Sequence, residues 1–367
     1  MNFYRATSRH LNFLCNRLSS TTQQYGHGYI IRSFTSQVSA SEQMNLIKLL
    51  RERTSAPIKD VKSALVACNW DIETAQKDLR KKGVALATKK SSRTASEGLL
   101  ALAQNDDKVA IIELNCETDF VARNEIFQYL ALSLAKIALS AETSIAQTSP
   151  ASSLGSEFFE GLKVNLDHPK LSGDTTIQGV ITEVAAMVGE NVKLRRGYTV
   201  SKSANGVISS YLHTSPQPGL GRLAGILTLE VEDENIPLDP LVRVGSELAM
   251  HIVAAKPLFL SKEHVSLEAL ESERDILKSQ AEATGKPQIA IEKMVEGRMR
   301  KYMEEVVLME QKFIVNDAIN IKKLIDDLSK EVGSPVKVGK FFRMEVGEGI
   351  QRIEASTVAD DAVAQAA

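Results

Sequence analysis

Hydrophobic and polar positions along this 367-residue chain follow two periods, and each change of period predicts an element. Three short stretches have helical spacing: Met44, Ile47 and Leu50; Ile58, Val61 and Leu65; and Ile72, Ala75 and Leu79. Lys48, Arg51 and Arg53 point outward from the first, Pro57 suits the opening turn of the second, and Asp71 caps the third, which stops at Gly83. Together they predict a three-helix module over 42–83, marginal alone but adequate as an appended recognition unit. Ala87 to Ser96 is polar and basic, and 84–97 reads as a solvated linker. The period then becomes two. Gly98–Ala103 and Val109–Leu114 flank Asn105-Asp106-Asp107 and predict a hairpin, after which Asn124 caps a helix through Ile126, Phe127, Leu130, Leu134 and Ile137. Between strand and helix lies Cys116-Glu117-Thr118-Asp119-Phe120-Val121, an acid and an aromatic at a turn. Residue type alone assigns Phe120 to the core. Neither Asp119 nor Phe120 has a catalytic setting there, so the turn suggests a protein that acts by touching another protein.

Downstream, a helix from about Thr176 ends at Gly189, and strands over 191–200 and 207–213 flank Asn205-Gly206, a hairpin signal. Another strand is predicted over 223–231, helices over 240–255 and 319–330, and a returning strand over 336–346. Between Val265 and Met303 two helices meet at Thr284-Gly285-Lys286-Pro287, a breaker that folds them back antiparallel. The fold class is α+β: antiparallel sheets flanked by helices in two core subdomains, 98–203 and 204–350, with the helical hairpin 265–303 in the second. Residues 140–175 are rich in Ser, Pro and Gly, and Ser149-Pro150-Ala151-Ser152-Ser153 reads as a flexible insertion. Residues 351–367 form an Ala- and Asp-containing tail.

Charge and composition narrow the function. The chain is 43% hydrophobic and 25% charged, and no apolar run approaches a membrane span, which predicts a soluble protein. Arg5, Arg9, Arg17 and Arg32 all precede Glu42, the first acid. On a helix Tyr4, Thr7, Leu11, Leu14 and Leu18 share one face, so residues 1–41 read as an organelle import peptide, drawn inward by a negative membrane potential, with processing near Thr35. Setting those four arginines aside leaves 40 basic residues against 46 acidic, a balance that argues against nucleic acid as the main partner.

The sequence carries no recognised signature of catalysis, phosphate binding or metal binding. Gly333 to Gly339-Lys340 has one residue too many for a phosphate-binding loop, and Phe341 stands where a Mg²⁺-binding hydroxyl is needed. The histidines at 168, 213, 251 and 264 show no metal spacing, and Cys68 and Cys116 form no CxxC pair. No GxSxG elbow is present. No enzyme activity, cofactor or metal is expected.

Eight blocks carry a resemblance. Leu50-Arg51-Glu52-Arg53-Thr54, Asp71-Ile72-Glu73 with Gly83, and Thr118-Asp119-Phe120-Val121 come first, followed by Val188-Gly189-Glu190-Asn191 and Ser210-Tyr211-Leu212-His213. Met250 to Pro257, Glu292 to Arg298 and Glu345 to Ile350 complete the series. In this order, over about residues 42–355, the chain resembles translation elongation factor Ts, and the import-like start points to a mitochondrial member acting in the matrix. The resemblance implies a guanine-nucleotide exchange factor: it binds mitochondrial elongation factor Tu carrying GDP, loosens the Mg²⁺ and phosphate contacts, releases GDP and lets GTP enter. The ribosome is then an indirect partner, and direct nucleotide, membrane or specific nucleic-acid binding is not expected. The resemblance further implies that Phe120 wedges into the GTPase domain with Asp119 beside it, Thr118 and Val121 completing the loop. Lys48, Arg51 and Lys62 would face that domain, the corner Val188, Gly189, Glu190 and Asn191 would lie against it, and His213 would touch it. It also implies a ubiquitin-associated-like shape for the first module and a protruding coiled coil for the helical hairpin. Trp70, where the family more often has glycine, keeps open a second reading, an adaptor whose three-helix module holds a ubiquitin-like or helical ligand. The turn-rich loop Thr214 to Gly221, the long 140–175 stretch and the short tail depart from the family pattern.

Overall fold

The computed structural model describes residues 38–140, 152–171, 173–233 and 235–350. The import-like start up to residue 37, Ser149-Pro150-Ala151 of the expected insertion, and the tail from 351 lie outside the described residues.

The first module begins earlier than expected. Ser39 caps α1 (Ala40–Thr54) by a capping box: its hydroxyl accepts from the Glu42 amide, and the Glu42 carboxylate accepts from the Ser39 amide at 2.9 Å. α2 (Ile58–Ala67) follows Pro57, and α3 (Ile72–Lys90) is capped by Asp71, which accepts from Thr74 N at 2.6 Å. Their core is Ile47, Leu50, Val61, Ala64, Leu65, Ala75 and Leu79. Two expected core positions are exposed, Met44 at 67% and Ile58 at 55%. The α1 seam runs through Leu46, Ile47 and Leu50, which leaves Met44 about 120° around the helix from Leu50 at 3.6 residues per turn. Ile58 is the first residue of α2 and sits at its open end.

Gly83 does not stop α3. The helix runs on to Lys90, and a Cβ at Gly83 would stand 3.0 Å from that of Ala186 on the helix it packs against. The first half of the expected linker, 84–90, is therefore helix, with Ala87 buried in the main core. Gly83 thus serves a close approach between helices and does not act as a stop signal.

The hairpin at 98–114 forms as β1 (Glu97–Gln104) and β2 (Lys108–Cys116), in register from Glu97↔Cys116 to Gln104↔Val109. Asn105 Oδ1 closes the turn by accepting from the amides of Asp107 and Lys108. A one-turn α4 (Asp119–Ala122) leads to α5 (Glu125–Leu139), capped by Asn124 as its sequence predicts. The expected insertion is partly structured: β3 (Ser152–Leu154) pairs with β6 (Lys193–Ser201), and Leu154 and the Phe159 of α6 (Ser156–Phe159) enter the main core. Burial of those two side chains overrides the turn-rich composition. β4 (Lys163–Asn165) pairs with β5 (Asp174–Thr176), which opens α7 (Ile177–Val188).

Asn205-Gly206 does not close a hairpin. β7 (Gly206–His213) pairs with β9 (Leu223–Val231), whereas β6 lies between β2 and β3, so residues 202–205 cross from one sheet to another. Each strand finds a more apolar partner than the other could offer, and Lys202 N→Asp107 O and Val231 N→Asn205 O satisfy the crossing backbone. With β8 (Leu220–Gly221) at its edge, the first sheet has the order β3-β6-β2-β1-β8. α8 (Asp239–Ala255) covers the second sheet. Two helices, α9 (Leu267–Glu282) and α10 (Gln288–Val306), then fold back on each other about Gly285 and bury Leu277, Ala281 and Ile291. The small ladder β10 (Lys312–Phe313) and β11 (Asn316–Asn320), then α11 (Ile321–Val332) and β12 (Val336–Glu345), complete the chain, and the second sheet is β12-β9-β7.

The layers follow from alternation. Leu99, Ala101, Ala110, Ile112 and Leu114 face α5 and α7, while their neighbours Leu100, Val109 and Ile111 meet Ala224, Ile226 and Met344 of the second sheet. Leu227 and Leu229 on the far face of β9 pack against α8 and α11. The result is helix, sheet, sheet, helix. One acid sits in the inter-sheet seam: Glu113, without exposed surface, accepts from Arg196 Nε (2.6 Å), Gly347 N (2.7 Å), Asn115 Nδ2 (3.0 Å) and Arg195 (3.1 Å). Burial pushes its carboxyl up, but the Gly347 amide, Arg196 and Asn115 outweigh burial and hold it below the ordinary value.

Candidate partner-binding site

The aromatic turn is built at the end of β2, the central strand of the first sheet. β2 ends at Cys116, and Thr118, extended at φ −126°, caps α4. A single helical turn can bury only one side. It buries Val121 and Ala122 in the core, and Phe120 is left 78% exposed, with Asp119 beside it bonded to Arg123 at 2.7 Å.

A second segment locks this turn. α7 ends at Gly189 in the left-handed region (φ 75°), as the glycine predicts, which turns Glu190 back toward β2. The Glu190 carboxylate accepts from Thr118 Oγ1 (2.6 Å), Thr118 N (2.9 Å) and Glu117 N (3.1 Å), 73 residues away in the chain. Glu117 answers by accepting from Asn191 N at 2.7 Å. The end of α3 joins the same corner: Asn191 Nδ2 donates to Ser91 O (3.1 Å) and Arg93 O (2.7 Å), and Lys90 Nζ donates to Gly189 O. Cys116, buried beneath, has its thiol pushed up to about 12 by desolvation and by the nearby Glu190 and Glu97, and its S–H donates to Thr118 O. It is a neutral structural thiol and no nucleophile.

The positions singled out from sequence therefore separate. Residues 118–121 and 188–191 come together as one corner; within it Phe120 and Gly189 are exposed, Val188 is half-buried, and Val121 and Asn191 are buried. Lys48, Arg51 and Lys62 are exposed on α1 and α2 of the first module. His213 is exposed at the end of β7, its Nδ1 3.1 Å from Tyr211 Oη. Sequence reading missed Glu117, Lys90, Ser91 and Arg93. The acids directly before the capping threonine and directly after the capping glycine were the available signal for the Glu117–Glu190 exchange. Among the described residues no cluster of three or more His, Cys, Asp or Glu could hold a metal ion, and no helix is long and apolar enough to cross a membrane.

Comparison with known proteins matches residues 117–348 to the family model described as Elongation factor TS. "Elongation factor Ts, mitochondrial" of Ricinus communis is 66% identical over 380 aligned positions, covering 100% of both chains. The protein of the same name from Arabidopsis thaliana is 70% identical over 344 positions, 93% of this chain and 86% of its own. "Elongation factor Ts" of Paramagnetospirillum magneticum is 42% identical over 322 positions, 88% and 96% of the two chains. This chain belongs to the elongation factor Ts family, among its mitochondrial members.

Proposed function

We propose that this protein binds mitochondrial elongation factor Tu in its GDP form and promotes GDP release by pressing Phe120 into the GTPase domain, disturbing the Mg²⁺ and phosphate contacts so that GTP can load. Its family consists of nucleotide exchange factors for elongation factor Tu in translation elongation, and the ribosome is reached only through Tu. The observation that carries the reading is an aromatic ring exposed to 78% on a turn whose start is tied to Glu190 by three hydrogen bonds. A rigid, solvent-exposed aromatic is an expensive feature without a partner and a good anchor with one, worth about 2–4 kcal/mol when buried at an interface. Lys48, Arg51 and Lys62 of the first module, Val188, Gly189 and His213 form the rest of the proposed contact surface, with Asp119 beside Phe120 and paired with Arg123.

The mechanism is one of linkage. If the complex weakens GDP binding by some factor, GDP weakens the complex by the same factor, and no covalent step is required. The test is release of a fluorescent GDP analogue from purified mitochondrial Tu. Saturating protein is expected to accelerate release strongly, and Phe120→Ala to remove at least about tenfold of that acceleration, ~1.4 kcal/mol, with unchanged melting. Absence of acceleration by the parent protein overturns the exchange function; full acceleration by Phe120→Ala overturns the wedge.

A further inference from the structure

We infer that Glu190 is a positioning residue that acts through Phe120, holding the α4 turn in its docking geometry rather than meeting the partner itself. The inference rests on the reading of Phe120 as the wedge. Three observations carry it. First, the Glu190 carboxylate is occupied: a carboxylate offers about four acceptor positions, and Thr118 Oγ1, Thr118 N and Glu117 N fill three of them. Second, the Thr118 hydroxyl is engaged on both its donor and its acceptor side, giving its proton to Glu190 at 2.6 Å and accepting from Val121 N at 3.5 Å, so the same group that reaches Glu190 caps the turn that carries Phe120. Third, the strap is reciprocal. Glu117 N donates to Glu190 and Asn191 N donates to Glu117, which ties two chain segments through backbone atoms at both ends. Asn191 is likewise spent, with both hydrogens of its amide on Ser91 O and Arg93 O.

The consequence is pre-organisation. A turn already ordered before docking does not lose its freedom on binding, and a ring held at one angle delivers its contact where the nucleotide site is to be disturbed. Removing the strap should therefore lower the maximal rate of GDP release more than it raises the concentration of protein giving half that rate.

The test is a double-mutant cycle on fluorescent-GDP release from mitochondrial Tu, using the full chain, with amide hydrogen exchange of the free protein as a second readout. Glu190→Ala is expected to lower maximal release about tenfold, Glu190→Gln to fall between, and either change to have no further effect in a Phe120→Ala background. Exchange at the Glu117 and Thr118 amides should accelerate while that of β1 and β2 stays as in the parent. Additive losses in the cycle show direct partner contact and overturn the inference, as does parent-rate release by Glu190→Ala. If Glu190→Ala does not fold, the same cycle is run with Glu190→Gln. Should Phe120→Ala itself release GDP at the parent rate, the wedge reading falls separately, and unaltered exchange at Glu117 and Thr118 in Glu190→Ala would then overturn the strap on its own.

Discussion

Phe120 and Phe127 are seven positions apart in adjoining helices, yet one is 78% exposed and the other has no exposed surface. Phe127 falls on the repeating apolar face of α5 with Leu130 and Leu134, and that face covers the first sheet. Phe120 belongs to a four-residue turn whose inward side is already taken by Val121 and Ala122. The difference teaches that burial here is decided by which side of an element the sheet covers, since the two residues are chemically the same. The acids repeat the lesson. Glu113 and Glu190 each collect several donors, but Glu113 does so in the seam between sheets, against two arginines, and Glu190 at the rim, mostly against backbone amides.

The largest expected effect tests the aromatic pair. Phe127→Ala should cost about 3–5 kcal/mol of stability by chemical denaturation, while the same change at Phe120 should stay within about 0.5 kcal/mol; similar losses at both would break the comparison. Next comes Glu113→Gln, which leaves Arg195 without its carboxylate and Arg196 with only Glu348 at 3.4 Å, and should cost about 3 kcal/mol. Its sign with pH is fixed. The folded-state carboxyl lies below its ordinary value, so its contribution is complete above an unfolded value of about 4.3 and is lost as pH falls through the lower folded value. Denaturation curves taken below pH 5 should therefore fall more steeply for the parent than for Glu113→Gln, and parallel curves would refute the assignment. The smallest effect is at Asp119→Asn. Its partner Arg123 is largely exposed, so stability should change by less than about 0.5 kcal/mol; a larger loss would shift the steadying of the turn from Glu190 to this pair.

What could be read from the chain was local. The 98–114 hairpin, the Asn124 and Asp71 caps, and the Gly189 helix end each depend on residues within a few positions of one another. The misreadings were local signals overruled from a distance. Gly83 reads as a stop until Ala186 is found against it, and Asn205-Gly206 reads as a hairpin until β9 claims the following strand. Ser152-Ser153 reads as loose until β6 pairs with it. The site divides in the same way. The segments 118–121 and 188–191 stood out in the sequence separately, but the exchange of bonds between Glu117 and Glu190 spans 73 residues and leaves no periodic trace.

By itself, then, the sequence determined most of the long helices and strands, the family order of motifs and the presence of an aromatic at a turn, because helix periods, strand alternation and caps are short-range interactions written in neighbouring residues. Only the tertiary structure decided that the turn is clamped, that Phe120 points away from the core and that Glu190 and Asn191 face inward. Those outcomes depend on which surfaces meet when two sheets and their helices stack, and the hydrogen bonds that settle them join segments that approach one another only after the chain has folded.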